Sequence, residues 1–416
     1  MVPAASTFEN STYFDEIYHA RTAYENIRGV YPYEVSHPPL GKLLISLGIR
    51  VFGMTPFGWR VVGALFGVGM LPLLYVFIKN LFGKTALALC GTALFAFDFM
   101  HLTQTRIATI DTYGVFFIMA MYFFLYRWAS LPADASFRRG ALPLFLSGLS
   151  FGIGAACKWT VLYGAAGLAI VYFAHLFFTW RARHALENAP PFAPWAVKTL
   201  LFSVLVFVCI PAVIYCLSYI PYAQARDDMS LYGLLKTVWD NQKYMLSYHL
   251  GVTAAHPYSS KWWQWLFDIR PILYYRSDVT ADGLRSAFAA FNNPVVSWTG
   301  FLAVIALAVR TVRDRCGTAL FLTVGYLAQL VPWLFIARPT FAYHYFPSAV
   351  FLVLAICYLM NVMIERADNG RWRLPVYGLT GLSTGLYVLF YPVLAGVMVP
   401  TWYTTWVLKW FPSWPF

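Results

Sequence analysis

The stretch FAYHYFPSAVFLVLAICYLMNVMI, residues 341–364, decides the fold. It carries no Asp, Glu, Lys or Arg, and a helix needs only about 20 apolar residues to cross the hydrocarbon of a bilayer. Similar runs follow on either side of it: Leu142 to Ala156, Thr199 to Ile220 and Pro375 to Val399 are almost free of charge. The whole chain of 416 residues is 60% hydrophobic and only 12% charged, where soluble domains carry about 25% charge. That deficit leaves too little polar surface to wrap a water-soluble globule. A membrane β-barrel would need short strands of alternating polarity, and no such pattern runs through the chain. The reading is an all-α polytopic membrane protein with ten spans, near 57–78, 85–100, 114–128, 141–157, 159–179, 199–222, 295–309, 317–337, 341–364 and 375–399.

Five short loops share one side. They hold Lys79 and Lys84; Arg127, Arg138 and Arg139; Arg181, Arg183 and Lys198; Arg310, Arg313 and Arg315; and Arg366, Arg371 and Arg373. Against these 14 basic residues stand five acids, Asp134, Glu187, Asp314, Glu365 and Asp368. The positive-inside rule makes this the cytoplasmic side, and an even number of spans then places both termini outside. The net charge of +12 therefore reflects membrane orientation. No basic run interleaves with aromatics as nucleic-acid binding would require. The six cysteines lie in or beside apolar spans, without metal-ligand or disulfide-framework spacing, and read as small packing residues.

The outer side differs in kind. It holds a polar segment, 1–56, a long loop near 223–293, a short connection near 100–113 and an aromatic tail, 400–416. Trp262, Trp263, Trp265, Trp402, Trp406, Trp410 and Trp414 suit an interfacial belt. The chain then divides into the acid loop 1–56, a transmembrane module 57–222, the loop 223–294 and a second module with tail, 295–416.

Ionisable residues at membrane depth cost roughly 2.5–3.5 kcal/mol each on insertion scales, so their default reading is functional. Arg60, Asp98, Arg106, Asp111, Lys158, Arg338 and His344 all fall at outer helix ends. Snorkelling to the interface accounts for any one of them but not for both signs gathering on one side. The N-terminal segment adds Asp15, Glu16, His19 and Arg21 and ends in His37-Pro-Pro-Leu-Gly-Lys42. Two prolines fix that backbone as a rigid, extended entry to a helix. Neighbours on a helix do not share a face, so at most one of Asp15 and Glu16 points into a given site. Cations at an interface suit a lipid phosphate, and a carboxylate suits a general base acting on a hydroxyl. With phosphate leaving, one base plus charge stabilisation suffices. The residues by themselves lead to group transfer from a lipid phosphate.

These motifs resemble the protein O-mannosyltransferases, membrane enzymes of the GT-C fold that use polyprenyl-phosphate-linked mannose. Phe14-Asp15-Glu16 with His37 to Lys42 resembles the family's first outer loop. Arg106-Ile-Ala-Thr-Ile-Asp111, Cys157-Lys158-Trp159, Ser260 to Trp265 with Pro271 to Tyr275 and Asn293-Pro294, Arg338 to Pro347, and Leu408 to Trp414 follow in the family's order. The resemblance implies Asp15 as catalytic base and Glu16 as a residue placing acceptor or sugar. It implies Arg60, Lys158 and Arg338 on the donor phosphate, with His37, Lys42, Arg106, Asp111, His344 and Tyr345 supporting the pocket. Arg106 and Asp111 are read equally as a structural ion pair or as direct participants, and His37 and His344 as ordinary hydrogen-bonded histidines. It implies an inverting single displacement with no bound cofactor and no metal, the lipid-linked sugar being substrate. Its partners are membrane lipids and exported proteins.

The family pattern has eleven helices, one of them ahead of the acid loop. On that pattern the sequence is expected to be a fragment lacking its first helix, or to have a misassigned start. The loop at 223–293 is too short for the β-trefoil of eukaryotic members, which implies a prokaryotic form in the plasma membrane facing the cell exterior. Two rivals stand beside this reading. A GT-C transferase moving another sugar, such as aminoarabinose, to a glycolipid would share the topology. A transporter would show paired repeats and charge at mid-membrane, whereas here no repeat is found and the ions sit at outer ends.

Overall fold

The computed structural model describes residues 10–12, 14–185, 190–366 and 370–416. Glu187 and Asp368, two of the loop acids named above, lie outside the described residues. The chain opens with two 13-residue helices, α1 (Glu16–Arg28) and α2 (Leu40–Phe52). Then come α3 (Pro56–Phe82), α4 (Thr85–Ala96), α5 (Phe99–Thr105), α6 (Asp111–Ala129), α7 (Phe137–Cys157), α8 (Val161–Ala185) and α9 (Phe192–Gln224). After α10 (Leu231–Gly251) the chain returns through α11 (Pro294–Arg313), α12 (Gly317–Leu330), α13 (Phe346–Arg366) and α14 (Arg373–Ala395).

Among the described residues, eight helices are long and apolar enough to cross a membrane, and α4 with α5, bent by 60°, makes up to nine. The third predicted span, 114–128, falls within α6, which is not among them. Its 19 residues still reach about 28 Å at 1.5 Å per residue. The α4–α5 bend replaces the continuous 85–100 span. Asp98 is its cause: the carboxylate caps α5 through the N–H groups of Met100 and His101, at 3.0 and 3.2 Å, and so starts a new helix where a straight one was expected.

Burial sorts the spans into inner and outer. The apolar window of the span Ala342–Arg366 is 67% buried, and that of α9 only 17%. In a bilayer such exposed apolar residues need no water-facing partner, so α9 reads as a lipid-facing helix and α13 as the axis of the bundle. The two faces of α7 and α9 meet through small residues. A side chain on Gly148 would place its Cβ 2.3 Å from the Val206 carbonyl oxygen, so only glycine permits this backbone approach. At the same point α9 widens into a π stretch at Leu205–Cys209 ahead of Pro211, the local adjustment by which a membrane helix accommodates a proline that has no N–H.

The long loop is structured. Strand β1 (Ile272–Arg276) pairs antiparallel with β3 (Ala287–Ala290), and β2 (Leu284–Arg285) with β4 (Val399–Pro400) of the tail. Asn293, which caps α11, closes the loop onto the bundle. Its N–H meets Asp98 Oδ2 at 2.9 Å, and its side-chain amide donates to Phe97 and Ser383 carbonyls. Two of the seven tryptophans assigned to the interfacial belt are core residues instead: Trp265 is 2% exposed and Trp414 1%. Trp414 Nε1 donates to the Asp268 carbonyl at 2.7 Å, which fixes the tail under the loop. Trp406, 83% exposed, fits the belt.

Candidate active site

The first outer loop is fastened before α1 begins. Phe14 holds a left-handed backbone, φ 54°, a conformation that costs a non-glycine residue about 1–3 kcal/mol. Its ring offsets that cost by packing within 6 Å of His256, Tyr274, Phe341 and Tyr343. The strained turn aims the next two residues in different directions, as adjacent positions at a helix start require.

Asp15 points to the aromatic side, where the Tyr343 hydroxyl lies 3.5 Å from Oδ2, long for a hydrogen bond. Burial raises its carboxyl from the ordinary range to about 7, against the opposing pull of Lys158. Glu16 turns the other way and is fully buried. Both its oxygens bind the Arg60 guanidinium at 2.8 Å, and Oε1 also accepts the Ala108 N–H at 2.9 Å. Arg60 donates further to the Ser11 carbonyl at 2.9 Å. The sequence reading grouped Arg60 with the phosphate clamp and gave Glu16 to acceptor or sugar. Here the two form a bidentate pair of the strong kind that ties α1 to α3.

Lys158 stands at the end of α7, and its ammonium meets Asp111 Oδ1 at 2.5 Å. The same ammonium lies 5.4 Å from the centre of the Tyr343 ring. The expected alternative, an Arg106–Asp111 ion pair, is not formed. Arg106 instead donates to the Leu394 carbonyl at 3.4 Å and lies over Phe288. The two residues are five apart across a turn that sends them to opposite walls, and the lysine from the next hairpin reaches Asp111 first. Arg338 is partly exposed and, among the described residues, has no hydrogen bond or ion pair. It lies within electrostatic range of Tyr343, His344 and His249, as Lys158 does of both histidines.

Lys42 is fully buried and spends its three N–H donors on Glu34 Oε2 at 2.7 Å, the Glu34 carbonyl at 2.9 Å and the His37 carbonyl at 3.1 Å. Glu34 escaped the sequence reading. Burial works against its carboxylate, but Lys42, with His37 and His19, outweighs it and holds the carboxyl well below the usual range. This pair locks the His37–Pro–Pro turn. The signal that could have found it was an acid eight residues ahead of a lysine that opens an apolar helix.

The histidines crowd the same wall. His37 lies 6.4 Å from His19 and 5.2 Å from His249, ring to ring. Burial lowers His19 and His249 to about 4, so both rings are neutral near pH 7. His19 bonds the Ala108 carbonyl at 3.2 Å and His249 the Ser36 carbonyl at 2.9 Å. His344 is bonded to its own turn at Phe341 and packed on Trp333 and Tyr343. Tyr345 shares its hydroxyl with Tyr326 at 2.7 Å and is fully buried, which makes it a packing residue behind the wall. Among the described residues no group of His, Cys, Asp and Glu is placed to hold a metal ion.

A partly accessible carboxylate with a raised proton affinity thus lies within electrostatic reach of a fixed lysine beside an aromatic wall, and that wall is also bordered by Arg338, an arginine with no hydrogen bond or ion pair among the described residues. Two family models match in succession. Residues 51–226 match dolichyl-phosphate-mannose-protein mannosyltransferase, and 234–414 match the C-terminal four-transmembrane region of protein O-mannosyltransferase. The chain belongs to the protein O-mannosyltransferase family. A polyprenol-phosphate-mannose–protein mannosyltransferase of Mycobacterium tuberculosis is 26% identical over 96% of this chain and 86% of that protein. One from Corynebacterium glutamicum is 25% identical over 91% and 81%. In fold, the chain is similar to the Saccharomyces cerevisiae protein O-mannosyltransferase Pmt1–Pmt2 complex bound to the sugar donor. The TM-score is 0.85 at 13% identity, covering 98% of this chain and 90% of that one. ArnT from Cupriavidus metallidurans shares the fold at TM-score 0.58 and 15% identity, over 92% of this chain and 61% of that one. The protein is thus a multi-pass membrane protein of the GT-C fold.

Proposed function

We propose that this family member transfers mannose from a polyprenyl-phosphate donor to serine or threonine hydroxyls of exported proteins. One observation carries the reading of the site: Asp15 is the carboxylate of the acid loop that lies within electrostatic reach of Lys158 beside the Tyr343 hydroxyl, and burial raises its carboxyl to about 7, the range in which a general base works best. The names of the mycobacterial and corynebacterial relatives supply the donor and the acceptor class.

In this mechanism Asp15 Oδ takes the acceptor's O–H proton as that oxygen attacks the anomeric carbon. The bond from that carbon to the phosphate oxygen breaks on the opposite face, so the configuration inverts. The bonding pair leaves with the phosphate, and Arg338 and Lys158 stabilise the charge that develops there. Glu16 and Arg60 act on position rather than on substrate: they hold α1 against α3 so that Asp15 keeps its direction. The excess of Lys and Arg in the opposite loops supports an extracytoplasmic site, and the mycobacterial and corynebacterial relatives support a prokaryotic plasma membrane.

The test is an assay of purified protein with polyprenyl-phosphate mannose and a Ser/Thr-rich peptide, read as mannosylated peptide. The expected result is product that is abolished in Asp15→Asn. Transfer to a glycolipid acceptor but not to the peptide would overturn the protein-acceptor reading.

A further inference from the structure

The far end of the bundle holds a cavity that the transfer reaction does not use. It has a volume of about 330 Å³ and lies between the last turn of α3, the end of α11, the start of α12 and the last turns of α13. Arg60 at the site and Leu81 in the cavity stand on the same helix, 21 residues apart. At 1.5 Å per residue that is roughly 30 Å, the thickness of the hydrocarbon layer. The cavity therefore opens at the headgroup level of the opposite leaflet.

Its walls have two chemistries. Leu81, Phe82 and Val362 contribute apolar wall, beside the charged Arg310, Arg366 and Glu365. Among the described residues, the two nearby acids are already neutralised. Glu365 is held by Lys84 at 2.9 Å and by Asn361 at 3.0 Å. Asp314 is held by Arg310 Nε at 2.8 Å, a bond that leaves the two Nη nitrogens of Arg310 for another anion. Arg366 has no hydrogen bond or ion pair among the described residues. Among the described residues the surplus is positive, fork-shaped and placed over hydrocarbon.

We infer that this cavity binds the phosphate headgroup of an anionic phospholipid from that leaflet, with Arg310 and Arg366 on the phosphate and the glycerol end against Leu81 and Val362. Basic pockets between span ends recognise anionic headgroups in this manner, and a planar guanidinium matches two phosphate oxygens at once. A free phosphate would use the same arginines but leave the apolar wall uncovered, so the lipid is the better match.

The experiment uses the full chain, purified in detergent and mixed with phosphatidylglycerol, phosphatidylcholine or inorganic phosphate, with bound molecules counted by native mass spectrometry. Phosphatidylglycerol should be retained in preference to phosphatidylcholine. The double variant Arg310→Gln/Arg366→Gln should weaken that retention by about tenfold or more. Arg138→Gln/Arg139→Gln, on the same side but away from the cavity, should not. Thermal unfolding in phosphatidylcholine shows that each variant is folded. If the double variant is not, Arg366→Gln alone replaces it, because its guanidinium supports no bond within the described residues. Equal retention by wild type and variant, or equal retention of the two lipids, overturns the inference. Displacement of phosphatidylglycerol by inorganic phosphate at matched concentration overturns the lipid as occupant.

Discussion

Lys158 and Asp111 meet at 2.5 Å, side chains 7% and 9% exposed, one ending α7 and the other opening α6. A buried pair of this kind contributes little net stability when compared with apolar residues, but breaking it leaves an uncompensated charge. Asp111→Asn and Lys158→Met are each expected to destabilise the fold by about 3–5 kcal/mol. The double variant should recover much of that loss while staying inactive. Unfolding curves with parallel transfer assays on all three proteins check this; losses that simply add would argue against the pairing.

Asp15→Asn removes the proposed base without changing shape. Transfer should fall by about 10²–10⁴-fold, with insertion and folding intact. A folded variant that transfers at nearly the normal rate would remove Asp15 from the mechanism.

The raised carboxyl sets a pH profile. With Asp15 near 7, the rate should climb as pH rises through about 7 and decline below it, as the base takes up its proton. Stability moves the other way. The folded state holds this proton more tightly than the unfolded chain, so the group's contribution is complete below about pH 4 and is lost as pH rises to about 7. Asp15→Asn should therefore be more stable than the parent at about pH 8, with the difference narrowing near pH 5. Melting temperatures across that range decide it; an Asn variant less stable than the parent at the alkaline end would contradict the burial argument.

Arg338 has no hydrogen bond or ion pair among the described residues and lies within electrostatic range of Tyr343 and His344. Arg338→Ala should raise the apparent KM for the lipid donor by about 10–100-fold, the worth of a charge-assisted bond, with a smaller effect on the peptide. Steady-state kinetics with each substrate varied in turn give the answer, and an unaltered donor KM would exclude a phosphate role.

Phe14 positions Asp15 from behind. Phe14→Ala deletes the ring that offsets the strained backbone, and a displaced base of about 1 Å can cost 10²-fold. We expect kcat to fall by about that order while the donor KM stays near normal. A KM effect with kcat preserved would mean that the ring serves binding instead.

Much of the bundle was legible because hydrocarbon imposes one simple demand, length without charge. Residues 341–364 satisfy it and are buried for most of the stretch up to Met360. Where the demand met a capping carboxylate, at Asp98, the straight span became a bend. At the site, residue types were legible but partners were not. Arg106 and Asp111 suggested a pair by nearness in sequence, yet Asp111 is joined to a lysine 47 positions away. Arg60 and Glu16 stand 44 positions apart along the chain, a distance that hides their contact from the sequence. The tryptophans of the tail looked alike, but the loop carbonyl that claims Trp414 is 146 positions distant. Hydropathy is a local property, and a charge's partner is a property of the finished packing.

Helix α13 begins two residues beyond His344 and ends at Arg366, in the wall of the far cavity. Its 21 residues make a strut of about 32 Å, encased by other helices for most of its length. A bilayer that thins or thickens cannot readily tilt it. The mismatch falls on the lipid and on peripheral helices such as α9. The height of the reacting centre above the opposite leaflet is thus gauged by protein, like a fixed ruler standing in a layer of variable depth. Donors are lifted to that mark wherever the surrounding membrane surface lies.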